Sequence, residues 1–408
     1  MKILLLNKYW RHAGGVEVHA FEVESWLRQR GHTVIPFAMR EDETAPNDYL
    51  DHFPKSVELR GTSLKQSIEG TDRAVRSADS RRALRELIET EKPDAAYVLH
   101  IYHQLGMSLL NELHTAGIPT VLSLHDYKIV CPNYRLFSER TGQICTKCLD
   151  QSMGFAYNPV VEKCWSGSAT AGAALSLEAV ATRLRRSYRL PGAVTILNSL
   201  QRRSAIRAGV DPDRLIRVPH PVKLGTVRPA PSSTARFLYL GRLVPEKGVD
   251  ILIRAVAAAD QKLTIAGDGR SRQDLEELAA ELGANVEFAG TIERDRVADL
   301  MRSSRALIVP SIWHEVSPLV VFEAIANDVP VIASSVGGMV DQLEDNRGFL
   351  VPPGDAEALA NTLSAVASDE RGAQSRSARA RRYAGDEWTE EKWSQNLVRA
   401  FELAGASV

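Results

Sequence analysis

The chain has 408 residues, 44% of them hydrophobic and 25% charged, which suits two or three packed domains and is too long for one. Fifty Lys and Arg balance 51 Asp and Glu, and the net charge of −1 excludes both a global basic footprint for nucleic acid and a polyacidic tail. No apolar run approaches the roughly 20 residues that span a bilayer, and the stretch Ile3–Leu6 is too short for a signal peptide. Four cysteines in so long a chain are not a disulfide scaffold, so a cytoplasmic protein is expected.

In chain order, Ile3–Leu6 reads as a buried strand, followed by a polar loop that ends in Gly14-Gly15. Val16, Ala20, Val23 and Leu27 then recur at helical spacing, with Gly31 placed to end the helix. Strand, glycine loop and helix begin a βαβ unit. The alternation continues through strands at Tyr97–Leu99 and Thr120–Leu124. Pro219-His220-Pro221 and then Pro229–Thr234 have the composition of a linker. A second series of strands follows at Phe237–Leu240, Leu263–Ala266, Val286–Phe288, Ala306–Val309 and Val331–Ala333. The expected architecture is α/β: two doubly wound, Rossmann-like domains, 1–220 and 221–385, facing across a cleft. The stretch Glu387–Leu403 reads as one more helix, within a 386–408 tail expected to return toward the N-terminal domain.

The most informative stretch runs from His314 to Ala324. Ser317 suits an N-cap and Pro318 the first helical position, so a helix is expected to open just after a buried strand. Helix N-termini beyond strand ends attract phosphate, which makes the amides of Leu319 and Val320 candidate diphosphate ligands. Glu315 and Glu323 bracket that position, and carboxylates accept from sugar hydroxyls; their mundane alternative is a solvated loop acid and an ordinary helix acid. The loop Gly241–Gly248 offers Arg242 and Lys247, a planar fork and a point charge that together suit a diphosphate without a catalytic metal. Gly267 and Gly269 form a third loop, where glycine permits close backbone approach or simply a tight turn. In the first half, Gly15 opens the helix near Val16 as a second anion-binding candidate, and the residues after it do not make the dinucleotide fingerprint. His125-Asp126 closes a strand and points into the same cleft. Asp211-Pro212-Asp213 mimics a metal-binding D-x-D and reads as a turn.

Taken together, these pieces resemble the retaining glycosyltransferases of family 4, of GT-B fold, over nearly the whole chain. The resemblance rests on Gly14-Gly15-Val16-Glu17, Gly31–Val34, His125-Asp126, Tyr239–Arg242 with Lys247-Gly248, and Gly267-Asp268-Gly269. It continues in the Glu315-x7-Glu323 motif, Pro330–Ala333, Gly337-Gly338 and Gly348–Asp355. The family usually places Gly before the position of Pro330, whereas this chain has Asn327-Asp328-Val329, a departure expected to alter a turn. The resemblance implies a nucleotide-diphosphate sugar donor, UDP- or GDP-linked or similar, bound mainly by the C-terminal domain. A hydroxyl acceptor, with no nucleic acid involved, would be bound mainly by the N-terminal domain. It implies phosphate contacts from Arg242 and Lys247, a ribose contact from Glu323, a donor-sugar contact from Glu315 and a reaction centre lined by His125. It further implies retention by front-face attack, with the leaving diphosphate helping to deprotonate the acceptor. A sugar-nucleotide epimerase or phosphorylase, or a non-catalytic nucleotide-sugar-binding protein, would share this architecture.

Two features fall outside that scheme. Cys131, Cys145, Cys148 and Cys164 are spaced C-x13-C-x2-C-x15-C within one insert, 131–164, as for a structural zinc site, the alternative being four unrelated thiols. From Arg183 to Arg217 there are nine Arg against two Asp. That run is either a solvated face or a patch for peripheral association with an anionic membrane.

Overall fold

The computed structural model describes residues 1–12, 14–56, 76–165, 167–227 and 235–408. The expected linker stretch Pro229–Thr234 therefore lies outside the described residues. The strands in chain order are β1 (Lys2–Leu6), β2 (Thr33–Phe37), β3 (Ala95–Val98), β4 (Thr120–Ser123), β5 (Phe137–Ser138), β6 (Gln143–Ile144) and β7 (Ala193–Ile196). They continue as β8 (Leu215–Arg217), β9 (Phe237–Leu240), β10 (Lys262–Ala266), β11 (Asn285–Gly290), β12 (Leu307–Val309), β13 (Val331–Ser334) and β14 (Phe349–Val351). Two parallel six-stranded sheets result, ordered β2-β1-β3-β4-β7-β8 and β11-β10-β9-β12-β13-β14, and β5 pairs antiparallel with β6 alone. The two doubly wound domains of a GT-B architecture are thus present.

Parallel sheets need cover on both faces, and their central strands are apolar throughout for that reason. Ile3, Leu4, Leu5 and Leu6 are fully buried, with alternate residues serving opposite faces: Leu4 and Leu6 join one apolar cluster, Ile3 and Leu5 the other. The helix Gly15–Gln29 covers the second face with Ala20, Val23 and Leu27, matching its expected span. Each such large apolar side chain contributes about 1.5–3 kcal/mol relative to exposure.

The strand order places the sites. In each sheet the winding direction reverses beside the first strand of the domain, between β1 and β3 in one and β9 and β12 in the other. Ligands bind beyond the carboxyl ends of strands at such switch points. The segments that leave those ends are Asn7–Gly15 after β1, Leu99–His103 after β3, Gly241–Gly248 after β9 and Pro310–Pro318 after β12. The last helix, Glu390–Ala404, is capped by Thr389 Oγ1, which accepts from the Lys392 amide at 3.1 Å. It buries Trp393, Leu397, Ala400 and Phe401 in the N-terminal core beside Ile3, Leu5 and Tyr97. Trp26 fixes it by donating to Ser394 at 2.8 Å. No described helix is long and apolar enough to cross a membrane.

Candidate active site

In the C-terminal half, the loop after β12 carries Glu315 into a buried position against the loop after β9. Its Oε1 accepts from Lys247 Nζ at 2.6 Å and from Ser311 Oγ at 2.8 Å. Burial alone would raise the Glu315 carboxyl, but the Lys247 charge and these hydrogen bonds outweigh it and hold the group below the ordinary carboxylate range. Lys247 and Glu315, expected to serve different parts of a donor, therefore form one ion pair. Glycine makes the approach possible: Gly337 has φ +56°, and a Cβ there would fall 2.1 Å from the Glu315 carbonyl. Next to it, the Gly338 amide donates to that same carbonyl at 2.7 Å. Gly267 (φ +135°) packs so closely on the β9 loop that a Cβ would meet the Gly241 carbonyl at 1.9 Å, and Gly269 meets that of Leu243 in the same way. These two glycines seat one loop on another, which is how they shape the site.

The helix Leu319–Ala326 opens one residue later than expected. Pro318, in an extended conformation, is its N-cap, and Ser317 makes no capping hydrogen bond. With no side-chain cap, the first-turn amides of Leu319 and Val320 lack intrahelical acceptors and point along the positive end of the helix dipole. Glu323 lies a turn further on at the surface. Crowding by neighbouring atoms raises its carboxyl, against the pull of Arg294. Arg242 is exposed at the mouth of its loop, and its carbonyl accepts from Tyr239 at 2.8 Å.

The N-terminal half closes on this loop from the opposite side. A Cβ at Gly15 would lie 3.8 Å from Leu319 Cδ1, so the glycine loop faces the helix N-terminus. Tyr127 donates to the Glu315 carbonyl at 3.3 Å, and Asn198 donates to the Val316 carbonyl at 2.7 Å. Ser199 Oγ reaches Asp341 at 2.6 Å and Arg217 does so at 3.3 Å, while Arg135 pairs with Glu246. His125 sits just beyond β4 with Nε2 3.0 Å from Ser123 Oγ and its ring 4.8 Å from that of His19. Burial, then the neighbouring His19, His220 and His100, hold its pKa well below the usual imidazole value, so it is neutral at pH 7. His100 pairs with Asp126 and with Tyr102, and with His125 and Lys128 they line a small pocket at the strand ends. Behind it, Glu178 accepts from Lys128 at 2.6 Å and His103 at 2.8 Å; burial opposes ionisation there, yet the two partners lower its pKa to about 2.

Sequence reasoning missed Tyr127, Asn198, His100 and the Lys128–Glu178–His103 triad. Only Tyr127 had a signal, its place directly after His125-Asp126. His314 was also passed over, although neither ring nitrogen has a partner among the described residues. Asp211-Pro212-Asp213 is a turn, with Asp211 Oδ1 accepting from the Asp213 amide at 3.1 Å.

The arginine run is not one patch. Arg183 donates to the Ala208 and Ile129 carbonyls, Arg207 to that of Leu149, and Arg214 to those of Arg189 and Pro191. Arg217 belongs to β8, and the remaining exposed members, without an ion pair among the described residues, are Arg186, Arg189, Arg202 and Arg203, with the Arg189 guanidinium lying against Gly209. Among the described residues, the compact group of metal-capable atoms, all within 4.8 Å, is His19, Glu22 and His220 rather than the cysteines.

A pair of Rossmann-like domains that present strand-end loops to each other across a cleft defines the GT-B class of architecture. A family model described as Glycosyltransferase Family 4 matches residues 13–226, more than half of the chain, and one described as Glycosyl transferases group 1 matches residues 227–385. The chain belongs to glycosyltransferase family 4. It is similar to Anabaena HepE in complex with UDP, with TM-score 0.65 and 18% identity over 98% of this chain and 100% of that one. It is likewise similar to a glycosyltransferase from Rickettsia africae, with TM-score 0.68 and 16% identity over 99% and 98%. Among curated proteins, a D-inositol 3-phosphate glycosyltransferase of Streptomyces scabiei is 34% identical over 183 residues, 38% of this chain and 41% of that one. An uncharacterized glycosyltransferase of Methanocaldococcus jannaschii is 34% identical over 140 residues, 33% and 36% respectively. These alignments span well under half of the curated relatives' length.

Proposed function

We propose that the protein transfers a sugar from a nucleotide-diphosphate donor to an acceptor hydroxyl with retention of anomeric configuration. The observation that carries this reading is the Lys247–Glu315 pair at 2.6 Å beside the uncapped N-terminus of Leu319–Ala326, with Tyr127 of the other domain donating to the Glu315 carbonyl. In the reaction the bond from the anomeric carbon to the phosphate oxygen breaks on the face at which the acceptor oxygen bonds. The acceptor proton passes to the departing diphosphate. Negative charge grows on that leaving group, where Arg242, Lys247 and the Leu319 and Val320 amides supply preorganised positive charge. That cationic set is the reason to expect turnover without a catalytic divalent ion. Glu315 accepts from donor-sugar hydroxyls, Glu323 from the ribose, and neutral His125 lines the reacting centre as a hydrogen-bonding group.

UDP is the first base to test, since HepE is described in complex with UDP. A thermal-shift screen of UDP, GDP, ADP and TDP, followed by donor hydrolysis and NMR of the product anomer, tests the reading. Stabilisation by one nucleotide and a retained anomer support it; no response to any nucleotide, or an inverted product, overturns it.

The acceptor, on this reading, is presented at an anionic membrane surface. Met153, Tyr157 and Val161 lie four residues apart on or beside the helix Gly154–Val161, and Leu177 and Leu184 are seven apart on Ala169–Leu184; all five are exposed, Leu184 by 80%. The acids of these helices are withdrawn: Glu162 pairs with Arg140 and Lys147, and Glu178 is buried. Exposed Arg186 and Arg189 lie two and five residues beyond Leu184, so apolar side chains and positive charge lie close in the chain. Sedimentation with phosphatidylglycerol vesicles, but not with phosphatidylcholine vesicles, is expected, and Leu184→Glu with Arg186→Glu should abolish it. Equal binding to both vesicles, or to neither, refutes the membrane assignment.

A further inference from the structure

Four cysteines reach one small region from four places in the fold. Cys131 lies in the loop leaving β4 and is buried in the N-terminal core, Cys145 follows β6, Cys148 belongs to the short helix Lys147–Asp150, and Cys164 follows the helix Gly154–Val161. All four are free thiols. Two asparagines tie three of them together. Cys131 Sγ donates to Asn133 Oδ1 at 2.9 Å, and Asn133 Nδ2 donates to the Cys164 carbonyl at 3.2 Å. Asn158 Nδ2 donates to Cys148 Sγ at 3.8 Å, and the Asn158 carbonyl accepts from Cys164 Sγ at 3.8 Å. Cys145 is held beside the loop of Cys131 and Asn133, its amide donating to the Leu136 carbonyl at 2.9 Å.

We propose that Cys131, Cys145, Cys148 and Cys164 bind one structural Zn²⁺ as a tetrathiolate. Four soft sulfurs leave no open coordination position, which marks a structural rather than a catalytic centre. With Zn–S bonds of about 2.3 Å, tetrahedral sulfurs stand about 3.8 Å apart. No three of these sulfurs lie within 4.8 Å of one another in the structure, so binding draws the cluster inward. The metal enters as the aqueous dication and the thiol protons leave to water, with no redox change. The resulting centre carries charge −2 beside the Lys147 and Arg140 cations that already flank Glu162.

The consequence falls on one side of the cleft. Zinc would tie the loop that begins at His125-Asp126 to the base of the helix pair, next to Trp165. That ring packs at 5.4 Å on His103 and 6.1 Å on Tyr134, and both of these pack on Tyr102, which lines the pocket beside His100. The C-terminal half contributes no ligand.

Elemental analysis of the full chain, purified without chelator, should give about one zinc per chain. Titrating the wild-type protein with an organomercurial should release that zinc in step with the loss of its four thiols. Cobalt in place of zinc should give the intense visible bands of a tetrahedral thiolate site, absent from the Cys145→Ser, Cys148→Ser double variant. If that variant does not fold, the wild-type titration decides alone. Calorimetry with UDP should be unchanged by zinc removal, which separates this site from the donor reading. Protein that takes up no zinc on incubation with it overturns the proposal. So does zinc that stays bound after every thiol is blocked, which would assign the metal to His19, Glu22 and His220 instead.

Discussion

The two halves share a sheet plan and differ in what they place at the strand ends. In the C-terminal half the site is made of backbone: close-packed glycines, helix amides, and a single ion pair between Lys247 and Glu315. In the N-terminal half it is made of side chains, with His19, His100, His125, Asp126 and the Lys128–Glu178–His103 triad crowded into a poorly solvated floor. Main chain suits what the proposed donor class offers, a diphosphate, and is rigid by construction. Buried side-chain networks can be rebuilt one residue at a time, and they suit the partner that differs between enzymes of one architecture. The cost is stability, because each buried charge depends on its neighbours.

The contrast breaks most visibly at Glu178. Glu178→Gln leaves Lys128 without its counter-charge in the core and should cost about 3–5 kcal/mol. The loss should appear as a lower denaturant midpoint, while UDP affinity per folded molecule stays unchanged. Equal losses in both quantities would mean that the halves are not separable in this way.

Backbone precision can be tested at Gly337. Gly337→Ala sets a methyl against the Glu315 carbonyl at a positive φ, and displacing that loop should lower kcat/KM on the order of 100-fold. Wild-type turnover in that variant would show that the loop tolerates movement. Lys247→Ala and Arg242→Ala should each weaken nucleotide-diphosphate binding by roughly 1.5–3 kcal/mol in calorimetry, the range for charged hydrogen bonds.

Acid loads the N-terminal half more heavily, although His314 in the C-terminal half shifts the same way, to about 4, by burial and then by Arg203. The folded-state pKa of His220 is about 3, lowered by burial and then by His19, and those of His125 and His103 are also lowered, chiefly by burial. The unfolded chain therefore takes up protons first, and stability should be flat above about pH 6.5 and fall steadily below it. Hydrogen exchange should register this opening in β1, β3 and β4 before β9 and β12. Simultaneous opening of both sheets would contradict the assignment. The smallest expected effect separates the two glutamates: Glu323→Gln should weaken free UDP by about 1 kcal/mol. Glu315→Gln should spare free UDP and reduce turnover.

The sequence by itself located most of the C-terminal strands. β9, β12 and β13 are continuous apolar runs, and the candidate donor residues Arg242, Lys247, Glu315 and Glu323 follow β9 and β12 closely in the chain, whereas β11 alternates with exposed Asn285 and Glu287 and the three-residue β14 was not read as a strand. Even there the capping residue was misread by one position, because Ser317 and Pro318 are both plausible caps and only the loop path selects Pro318. In the N-terminal half β2, β7 and β8 escaped notice: β2 contains Pro36, β8 is three residues long, and its Arg217 reads as part of a basic run until Asp341 is seen beside it. Tertiary structure alone decided that Tyr127 and Asn198 hold the Glu315 loop across the cleft, and that Glu178 meets Lys128 fifty residues away. It also decided which residues seat the last helix on the first domain's sheet, Trp393, Leu397, Ala400 and Phe401. Periodicity reports which residues seek burial and loop chemistry reports where the chain turns. Neither encodes which distant partner will satisfy a buried charge, since that is fixed only when the sheets have set the distances.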